Sequence, residues 1–496
     1  MNSEDGGAIR VALSLSAANL IYLRVWFDLL TTPSRSLSIR HGLDGLSYCA
    51  ALLNVVSAAA VIWLCLRFAY RMRPWVRQAL VLIGLMLTGN AIRGVASAYT
   101  PLLRSGAFHY LTSRTLVILA GVVVCAVAYR LVTHFTSAIA FLRIALLVCL
   151  PIVPITCGTA VVRAISPPVV PVEPALTARI NSQAKPHPRV IWVIFDEWDN
   201  RLTFGSRIKG VALPALDELA ARSLVGSRVL GPQGRLPVAQ MATEVAIPSL
   251  LAGEVRKAND FAAPNLFSKV HSRGWNVAIG GWYIPYCRLF AAEAFRCYWD
   301  QMYTQSTAHG ASLGEALTVQ ERSLFETSMF SVFGQSFTSE RHAAEYRAIR
   351  DFALDVASDS SADLVFLHFN TPHAPYFYNA KANRFDASGR GISGYGDALV
   401  LVDRTVAELM KHLDSNTALL LSADHPLRIG DQVDGITDPH VPFIVHFPGQ
   451  TNELRDEQEF SSLGTAPLIV EILSGTVRTA EEAAAFLDRG FRSSEH

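Results

Sequence analysis

The first third of the chain is much more apolar than the remainder, and this contrast constrains the fold more than any other feature. Residues 1 to 165 are dense in Leu, Val, Ala and Ile, and the first lysine of the 496-residue chain is Lys185. An α-helix needs about 20 predominantly apolar residues to cross a bilayer. We therefore predict an α-helical transmembrane bundle of about five spans. The candidate spans cover about 11–31, 47–68, 78–98, 113–133 and 138–162.

Basic residues predict how this bundle is oriented. Four arginines lie between positions 67 and 77, and by the positive-inside rule that loop faces the cytoplasm. Five spans then place everything after residue 165 outside, so we predict a multi-pass protein of the bacterial inner membrane with a periplasmic C-terminal domain. Arg24 and Asp28 interrupt the first candidate span. An interfacial amphipathic helix is the alternative for it, and this alternative leaves the C-terminal part outside.

The soluble part begins after a stretch that is rich in proline. We predict a transmembrane domain over 1–164, a stiff Pro-rich linker over 165–188 and a periplasmic domain over 189–496. The net charge of +1 offers no electrostatic case for binding nucleic acid. Cys287 and Cys297 form one close pair in this exported part, which predicts a disulfide, with two separate thiols as the alternative.

Short apolar runs alternate with helix-like segments beyond the linker. This rhythm indicates an α/β/α sandwich with a mostly parallel sheet, in which ligands gather at the carboxyl ends of the strands. The segment 398–413 has the spacing of an amphipathic helix. The predicted strands cover 189–195, 224–230, 275–280, 363–369, 418–423 and 441–447.

Acidic residues directly follow two of these strands. Asp196 follows the first, with Glu197 as a second choice beside it, and Asp424-His425 follows the fifth. A carboxylate combined with an imidazole is a common zinc-binding set, whereas a helix cap is the alternative for each acid. We therefore predict a zinc site at the carboxyl edge of the sheet.

A threonine marks the start of another helix-like segment, from Met241 to Gly253. Thr243 could serve only as an N-cap. A hydroxyl at a helix N-terminus is also well placed to act as a nucleophile, because the helix end favours negative charge on it and on an incoming phosphate. A metal ion can hold such a hydroxyl as an alkoxide.

These stretches together resemble the alkaline phosphatase superfamily, over about residues 188–450. Within it they look most like the membrane-anchored phosphoethanolamine and phosphoglycerol transferases, which are sulfatase-like. The resemblance implies that Asp196, Asp424 and His425 bind zinc. It also implies that Thr243, five residues before Pro248, is a metal-bound nucleophile.

The segment from Leu367 to Tyr376 looks like a strand end of the same family, and there the resemblance places His373 against the substrate phosphate. The better interpretation of His368, within the strand, is a buried and satisfied histidine.

The chain departs from the family pattern after the Asp-His pair. Pro426 replaces the usual Gly, and the loop from Pro426 to Pro439 lacks the further histidine of the family. His440 is therefore an additional ligand candidate, and one zinc ion or two remain open. Position 243 holds Thr and not Cys, so no formylglycine can form there, which argues against a true sulfatase.

The resemblance implies a zinc-dependent phosphotransferase. Such an enzyme would take a phospho-substituent from a membrane phospholipid, hold it covalently on Thr243 and pass it to a periplasmic glycan or lipid. One alternative is a membrane-anchored phosphatase, phosphodiesterase or sulfatase-like hydrolase, for which water is the acceptor. Another alternative is a catalytically inactive membrane scaffold.

Overall fold

A computed structural model describes residues 5–31, 45–99, 122, 125–127, 129, 133–168, 171–180, 188–301, 312–325, 331–386 and 391–492. The chain divides into two compact units. We call Met1–Pro171 with Tyr303–Phe337 the helical unit, and Val172–Met302 with Thr338–His496 the sheet unit.

The elements of the described residues are numbered in chain order. The helices are α1 (Asp5–Ile21), α2 (Leu23–Thr31), α3 (Gly45–Phe68), α4 (Pro74–Tyr99), α5 (Phe135–Cys149), α6 (Ile152–Ile165), α7 (Asn200–Phe204), α8 (Pro214–Ala220), α9 (Thr243–Ala252), α10 (Leu266–Ser272), α11 (Tyr286–Leu289), α12 (Leu313–Ser323), α13 (Ser331–Ser358), α14 (Gly391–Lys411), α15 (Asp431–Asp434), α16 (Thr465–Ser474) and α17 (Ala480–Gly490). The strands are β1 (Arg189–Phe195), β2 (Leu224–Leu230), β3 (Val277–Trp282), β4 (Ala294–Asp300), β5 (Leu364–Phe369), β6 (Tyr378–Asn379), β7 (Arg384–Phe385), β8 (Thr417–Ser422), β9 (His440–His446) and β10 (Leu454–Ser461).

The helical unit contains helices with the length and composition of membrane spans. Among the described residues, two qualify alone, and up to four spans result if each of two bent helix pairs counts as one. The fourth candidate span, 113–133, lies almost entirely outside the described residues, so the number of five spans stays a prediction. The two single helices are Gly45–Arg71 and Pro74–Arg93, and the pairs are Gly6–Ile21 with Leu23–Thr31 and Phe135–Cys149 with Ile152–Ile165.

Helix α12 belongs to the helical unit although it follows β4 in the sequence. The buried Gln320 side chain accepts a hydrogen bond of 3.2 Å from Asn54 of α3 and donates to the carbonyl of Ser47 at 2.8 Å. The amide of Asn54 needs such a partner, because an unpaired buried polar group is costly. Tyr303–Phe337, which lie within 189–496, thus belong to the helical unit, and the predicted domain boundaries stay a prediction.

The sheet unit is built on an eight-stranded sheet with the order β10-β2-β9-β8-β1-β5-β3-β4. Only β9 runs antiparallel to its neighbours in this sheet. The predicted fold class, a helical part followed by an α/β domain with a mostly parallel sheet, is confirmed. All six predicted strands are present, shifted by at most two residues. The missed strands β4 and β10 are the two edges of this sheet, where polar side chains are tolerated because one side lacks a neighbouring strand.

Three central strands bring their carboxyl ends to one place. In the parallel trio β8-β1-β5, Ile194 pairs in register with Ser422 on one side and with His368 on the other. Every residue of β1 is buried, which explains its continuous apolar run, as expected for a parallel strand that is covered on both faces. The residues that follow these strands therefore emerge together at the edge where the acids were predicted to meet.

Candidate active site

Two buried carboxylates lie just beyond the ends of β1 and β8. The amide of Asp196 donates to the carbonyl of Phe369 at 3.2 Å, which fixes Asp196 as an extension of the strand ladder. Asp424 Oδ1 accepts from the backbone amides of Glu197 at 3.3 Å and His425 at 2.9 Å. Burial, followed by the charge of Asp424, raises the pKa of Asp196 well above its usual value. The pair therefore needs positive charge beside it in order to be stable when both groups are ionised.

The Thr243 hydroxyl points at this pair. Thr243 is the first residue of α9, and the N-cap position is Ala242, which makes no side-chain cap. Thr243 Oγ1 donates to Asp424 Oδ2 at 2.8 Å, so the hydroxyl is not used to cap the helix. A hydroxyl is thus held at a helix N-terminus, where the dipole favours negative charge.

Pro248 lies inside α9 and deprives one backbone carbonyl of the helix of its usual hydrogen-bond donor. Because proline lacks an N–H, the carbonyl of Glu244 has no donor four residues ahead of it in the helix. The amide of Asn259 donates to this carbonyl at 2.7 Å instead. The first turn of α9, which presents Thr243, is thereby attached to a neighbouring loop.

His368 is a member of the site that sequence reasoning missed. Its Nδ1 lies 2.9 Å from the Tyr286 hydroxyl, while its Nε2 lies 3.8 Å from Asp196 Oδ2 and has no hydrogen-bond partner. Gly281 makes this arrangement possible, since a Cβ there would lie 2.4 Å from the Tyr286 ring. The interpretation of His368 as a satisfied core histidine is therefore wrong. The available signal was a lone imidazole near the end of an otherwise apolar strand.

Asp196, His368 and Asp424 fit a divalent metal ion. Each offers one ligand atom, these atoms lie within 4.8 Å of one another, and all three residues are buried. Asp196 Oδ1 and His368 Nε2 are buried without a hydrogen-bond partner, which would be costly without a ligand. Burial lowers the pKa of His368 to about 4, so the imidazole is neutral, as a ligand must be. Oxygen and imidazole ligands suit zinc.

Arg428 lies beside this ligand group, and sequence reasoning missed it as well. Its Nη1 lies 2.6 Å from Glu197 Oε1, its Nη2 lies 2.8 Å from His425 Nε2, and its Nε donates to the carbonyl of Met241 at 3.0 Å. Burial alone would lower the pKa of Arg428, but the carboxylates of Glu197, Asp196 and Asp424 raise it. The site thus contains a permanent cation.

The four residues that were predicted to bind zinc lie close together. His425 Nε2 is 3.3 Å from Asp424 Oδ2, 3.7 Å from Asp196 Oδ1 and 3.4 Å from Thr243 Oγ1. Burial lowers the pKa of His425 to about 3, which keeps its ring neutral. Its role as a ligand stays a prediction, because this Nε2 faces Arg428, whereas His368 Nε2 has no partner.

His373 and Glu197, which were also predicted to belong to the site, have neighbours that differ from those of the four predicted zinc ligands. His373 packs against Trp282 with 5.3 Å between ring centroids, and its Nδ1 is buried without a hydrogen-bond partner. Burial would raise the pKa of Glu197, but the charges of His373 and Arg428 lower it. The Glu197 carboxylate therefore lies near both the His373 ring and the Arg428 guanidinium.

His440 lies in a separate ion-pair cluster. Its Nδ1 is 2.5 Å from Asp438 and its Nε2 is 3.1 Å from Glu459. Both ring nitrogens face these carboxylates, and the structure does not bring His440 together with the metal-ligand group. Cys287 and Cys297 form the predicted disulfide, which joins α11, the helix that presents Tyr286, to β4.

We expect the substitution Tyr286→Phe to weaken zinc binding by about 10–100-fold, the usual cost of losing a partner of a ligating histidine. In the tautomer that leaves Nε2 free for a metal, the Nδ1–H of His368 donates to the Tyr286 oxygen. Phenylalanine removes this acceptor, so the ring loses its orientation. Competition between the full-length protein and a fluorescent chelator measures the affinity.

Tyr346→Phe is the matched control for this change. Tyr346 is also buried, and its hydroxyl is 2.7 Å from Thr405 Oγ1, a residue that is not a member of the ligand group. Its zinc affinity should equal that of the unmodified chain. Equal affinities for Tyr286→Phe and the unmodified chain would contradict a role for His368 as a ligand.

Comparisons with known proteins identify a family and several similar proteins. The sulfatase family model matches residues 188–475 of the chain. Phosphopentomutase from Proteus mirabilis (strain HI4320) is 34% identical over 84 residues, which amount to 16% of this chain and 21% of that protein. The chain therefore matches about a fifth of the length of this relative.

Several solved structures are similar at low sequence identity. Lipoteichoic acid synthase LtaP from Listeria monocytogenes is 13% identical, with 58% of this chain and 72% of that chain covered and a TM-score of 0.38. Phosphonate monoester hydrolase of Agrobacterium radiobacter is 13% identical, with 58% and 74% covered and a TM-score of 0.40. Because the family model spans more than half of the chain, from β1 to the end of α16, the chain belongs to the sulfatase family.

Proposed function

We propose that the protein is a zinc-dependent transferase that moves a phospho-substituent, of the phosphoethanolamine or phosphoglycerol type, from a membrane phospholipid to a periplasmic glycan or lipid. The observation that carries this proposal is the 2.8 Å hydrogen bond from the Thr243 hydroxyl to Asp424 Oδ2, beside the Asp196–His368–Asp424 group. A hydroxyl held in this way can act as a nucleophile, and transfer through it proceeds in two covalent steps.

The residues around Thr243 favour its ionised form. Asp196, His368 and Asp424 would hold the zinc ion, which when bound lowers the pKa of a neighbouring hydroxyl and stabilises charge on phosphate oxygens. Asp424 Oδ2 accepts the hydrogen bond of the hydroxyl and can take its proton. The N-terminus of α9 favours negative charge at the same position.

The first step forms a bond between Thr243 Oγ1 and phosphorus and breaks the bond from phosphorus to the diacylglycerol oxygen. The Thr243 proton passes to Asp424, and the leaving oxygen takes a proton from His373, so that diacylglycerol departs as an alcohol. His373 suits this role because its Nδ1 has no partner in the protein. The product is a phospho-substituted Thr243.

The second step reverses these proton movements. The acceptor hydroxyl gives its proton to His373 and forms a bond to phosphorus, while the bond from phosphorus to Thr243 Oγ1 breaks. Thr243 recovers its proton from Asp424. The enzyme thus returns to its initial state, and the acceptor carries the phospho-substituent.

A donor that lies in the bilayer is consistent with the helical unit. Helices α3 and α4 include segments of the length and composition that suit a lipid environment. We place the protein in the bacterial inner membrane as a multi-pass protein, with its C-terminal domain in the periplasm. The disulfide Cys287–Cys297 supports an oxidising compartment for that domain.

Mass spectrometry of the full-length protein, after incubation with labelled phospholipids, tests the proposal. We expect a mass increase on the peptide that contains Thr243, equal to the phospho-head group, and release of diacylglycerol. Release of the free phospho-head group without transfer to any hydroxyl acceptor would assign a hydrolase. A zinc-loaded protein with neither adduct nor release would contradict the proposed function.

A further inference from the structure

Helix α2 of the helical unit carries an arginine directly after a sharp bend. The bend of 62° separates α1 from α2, and α2 packs against α4. The buried face of α2 consists of Val25, Trp26 and Leu29, whereas Arg24 has 30% of its side chain exposed. An ionisable side chain within an apolar membrane segment is costly and therefore indicates a function.

A second arginine, Arg93, ends the apolar segment of α4, which covers Pro74–Arg93. At about 1.5 Å per residue it lies about 28 Å along the helix from Pro74, which is close to the ~30 Å thickness of the hydrocarbon core. Four arginines between positions 67 and 77 mark the other end of this helix. In the orientation that we propose for the protein, Arg93 thus lies at the periplasmic side of the bilayer.

The position of Arg93 is supported by the buried amide of Asn90, one turn earlier in α4. Asn90 Nδ2 donates to the carbonyl of Leu324, the residue that follows α12, at 3.2 Å. Asn90 Oδ1 accepts from Arg93 Nη2 at 3.4 Å, a long hydrogen bond. Arg93 Nε is buried and has no hydrogen-bond partner among the described residues. A donor of this kind is costly unless a ligand satisfies it.

The two guanidinium groups lie on the same side of the packed helices α2 and α4. They are near enough that the charge of Arg24 repels that of Arg93. Arg24 Nε is 3.8 Å from Asp28 Oδ2, beyond hydrogen-bond distance. Together Arg24, Arg93 and Asp28 carry an excess of one positive charge. Two arginines that only extend towards water would move apart, because like charges repel, whereas an anion between them would stabilise both.

We propose that Arg24 and Arg93 together bind the phosphodiester of one anionic phospholipid, at a lipid site that the helical unit forms by itself. Guanidinium groups match phosphate oxygens in geometry and charge, and basic pockets between membrane helices bind anionic head groups. One phosphodiester balances the excess charge. Ile83 and Ile92 of α4 are exposed, so acyl chains can cover this helix. The inference is independent of which group Thr243 transfers.

Native mass spectrometry of the full-length protein tests this inference. The protein is released from nanodiscs that contain phosphatidylglycerol and phosphatidylcholine, and the bound lipids are counted. We expect Arg24→Gln and Arg93→Gln each to retain one phosphatidylglycerol fewer than the unmodified protein. The double variant should also retain only one fewer, because both arginines hold the same phosphate. Loss of two lipids from the double variant, or of none from the single variants, would overturn the proposal.

The class of the ligand is tested in the same experiment. Phosphatidylglycerol should be preferred over phosphatidylcholine at this site by about fivefold, as expected for one excess basic side chain. Glycerophosphoglycerol has the same phosphodiester without acyl chains and should leave the bound lipid in place. Its displacement of the lipid at equal concentration would assign a site for a soluble anion and contradict a lipid site.

Arg143→Gln is the matched control. Arg143 is also a partly exposed arginine of an apolar helix, α5, but this helix packs against α1. Its lipid count should equal that of the unmodified protein. An equal loss of phosphatidylglycerol from Arg143→Gln would mean that any arginine of the helical unit retains a lipid, and the proposed pairing of Arg24 with Arg93 would then be wrong.

Thermal unfolding in a zwitterionic detergent distinguishes binding from support of the fold. Without lipid, Arg93→Gln should unfold at a temperature no lower than that of the unmodified protein, because the change removes the repulsion with Arg24. Added phosphatidylglycerol should raise the unfolding temperature of the unmodified protein more than that of the variant. An equal loss of stability with and without phosphatidylglycerol would show that Arg93 only maintains the framework, and would overturn the proposal.

Discussion

Replacing Thr243 by alanine should lower phospholipid-dependent turnover by about 10³-fold or more, because the nucleophile is removed. Zinc should remain bound, since Asp196, His368 and Asp424 are unchanged. The formation of diacylglycerol measures turnover, and elemental analysis of the same preparation measures zinc. Thr243→Ser keeps a hydroxyl at the helix N-terminus and should retain much of the activity, although its side chain is less restricted in χ1.

Thr465→Ala is the matched control for this experiment. Thr465 is also the first residue of a ten-residue helix and is also buried, but its hydroxyl donates to the carbonyl of Ser462, outside the site. Its turnover should equal that of the unmodified protein. Full turnover in Thr243→Ala would remove Thr243 from the mechanism. A parallel loss of zinc would instead make the hydroxyl a necessary part of the metal site.

The sequence was sufficient to locate the carboxyl edge of the sheet. The apolar runs of β1 and β8 end directly before Asp196 and Asp424, and parallel neighbours necessarily bring their carboxyl ends to the same edge. The edge strands β4 and β10 were missed for a physical reason, which is that an edge strand can be polar. Leu454–Ser461 contains Arg, Asp, Gln and two Glu residues and therefore lacks the apolar pattern of a central strand.

The contributions of His368 and Arg428 depend on tertiary structure that a single sequence does not display. Whether a histidine in a strand is satisfied depends on the partners of both ring nitrogens, and the second nitrogen of His368 faces Asp196 only because β5 pairs with β1. Arg428 is in a loop without a strand or helix pattern. Its place beside Glu197 depends on the turn that follows it, in which the carbonyl of Gly430 accepts a hydrogen bond from Arg201.

The position of α12 shows a similar limit. Its sequence has a polar helical pattern that suits the surface of a soluble domain, yet Gln320 is buried against Asn54 of α3. Asn54 and Gln320 are 266 positions apart in the sequence, so a local sequence pattern does not reveal their contact. Periodicity predicts that a segment is a helix, but not which unit it joins.

Asp424→Asn should weaken zinc binding by about 10²-fold or more, and it should change stability in opposite directions with and without zinc. Asparagine can still accept the backbone amides of Glu197 and His425, but its amide group replaces the oxygen that faces Thr243. In excess zinc, a 100-fold loss of affinity lowers the free energy of unfolding by about 2.7 kcal/mol. Thermal unfolding of the full-length protein, followed by tryptophan fluorescence, measures this difference.

After removal of zinc by a chelator, Asp424→Asn should be more stable than the unmodified protein near neutral pH. The pKa of Asp196 is raised by burial and then by the charge of Asp424, so the ionised pair destabilises the metal-free fold. A carboxyl group whose pKa is higher in the folded state lowers stability as the pH rises above its unfolded value. The advantage of the variant should therefore shrink as the pH falls and Asp196 takes up a proton.

Asp403→Asn provides the control for this reversal. Asp403 is also buried and accepts a backbone amide, that of Leu216 at 2.8 Å, but it is not part of the ligand group. Its effect on stability should be the same with zinc and with chelator, because no metal binding is linked to it. If Asp424→Asn were destabilising by the same amount in both conditions, Asp424 would support the fold without holding a metal. The change of sign on removal of zinc thus identifies Asp424 as a ligand independently of any activity measurement.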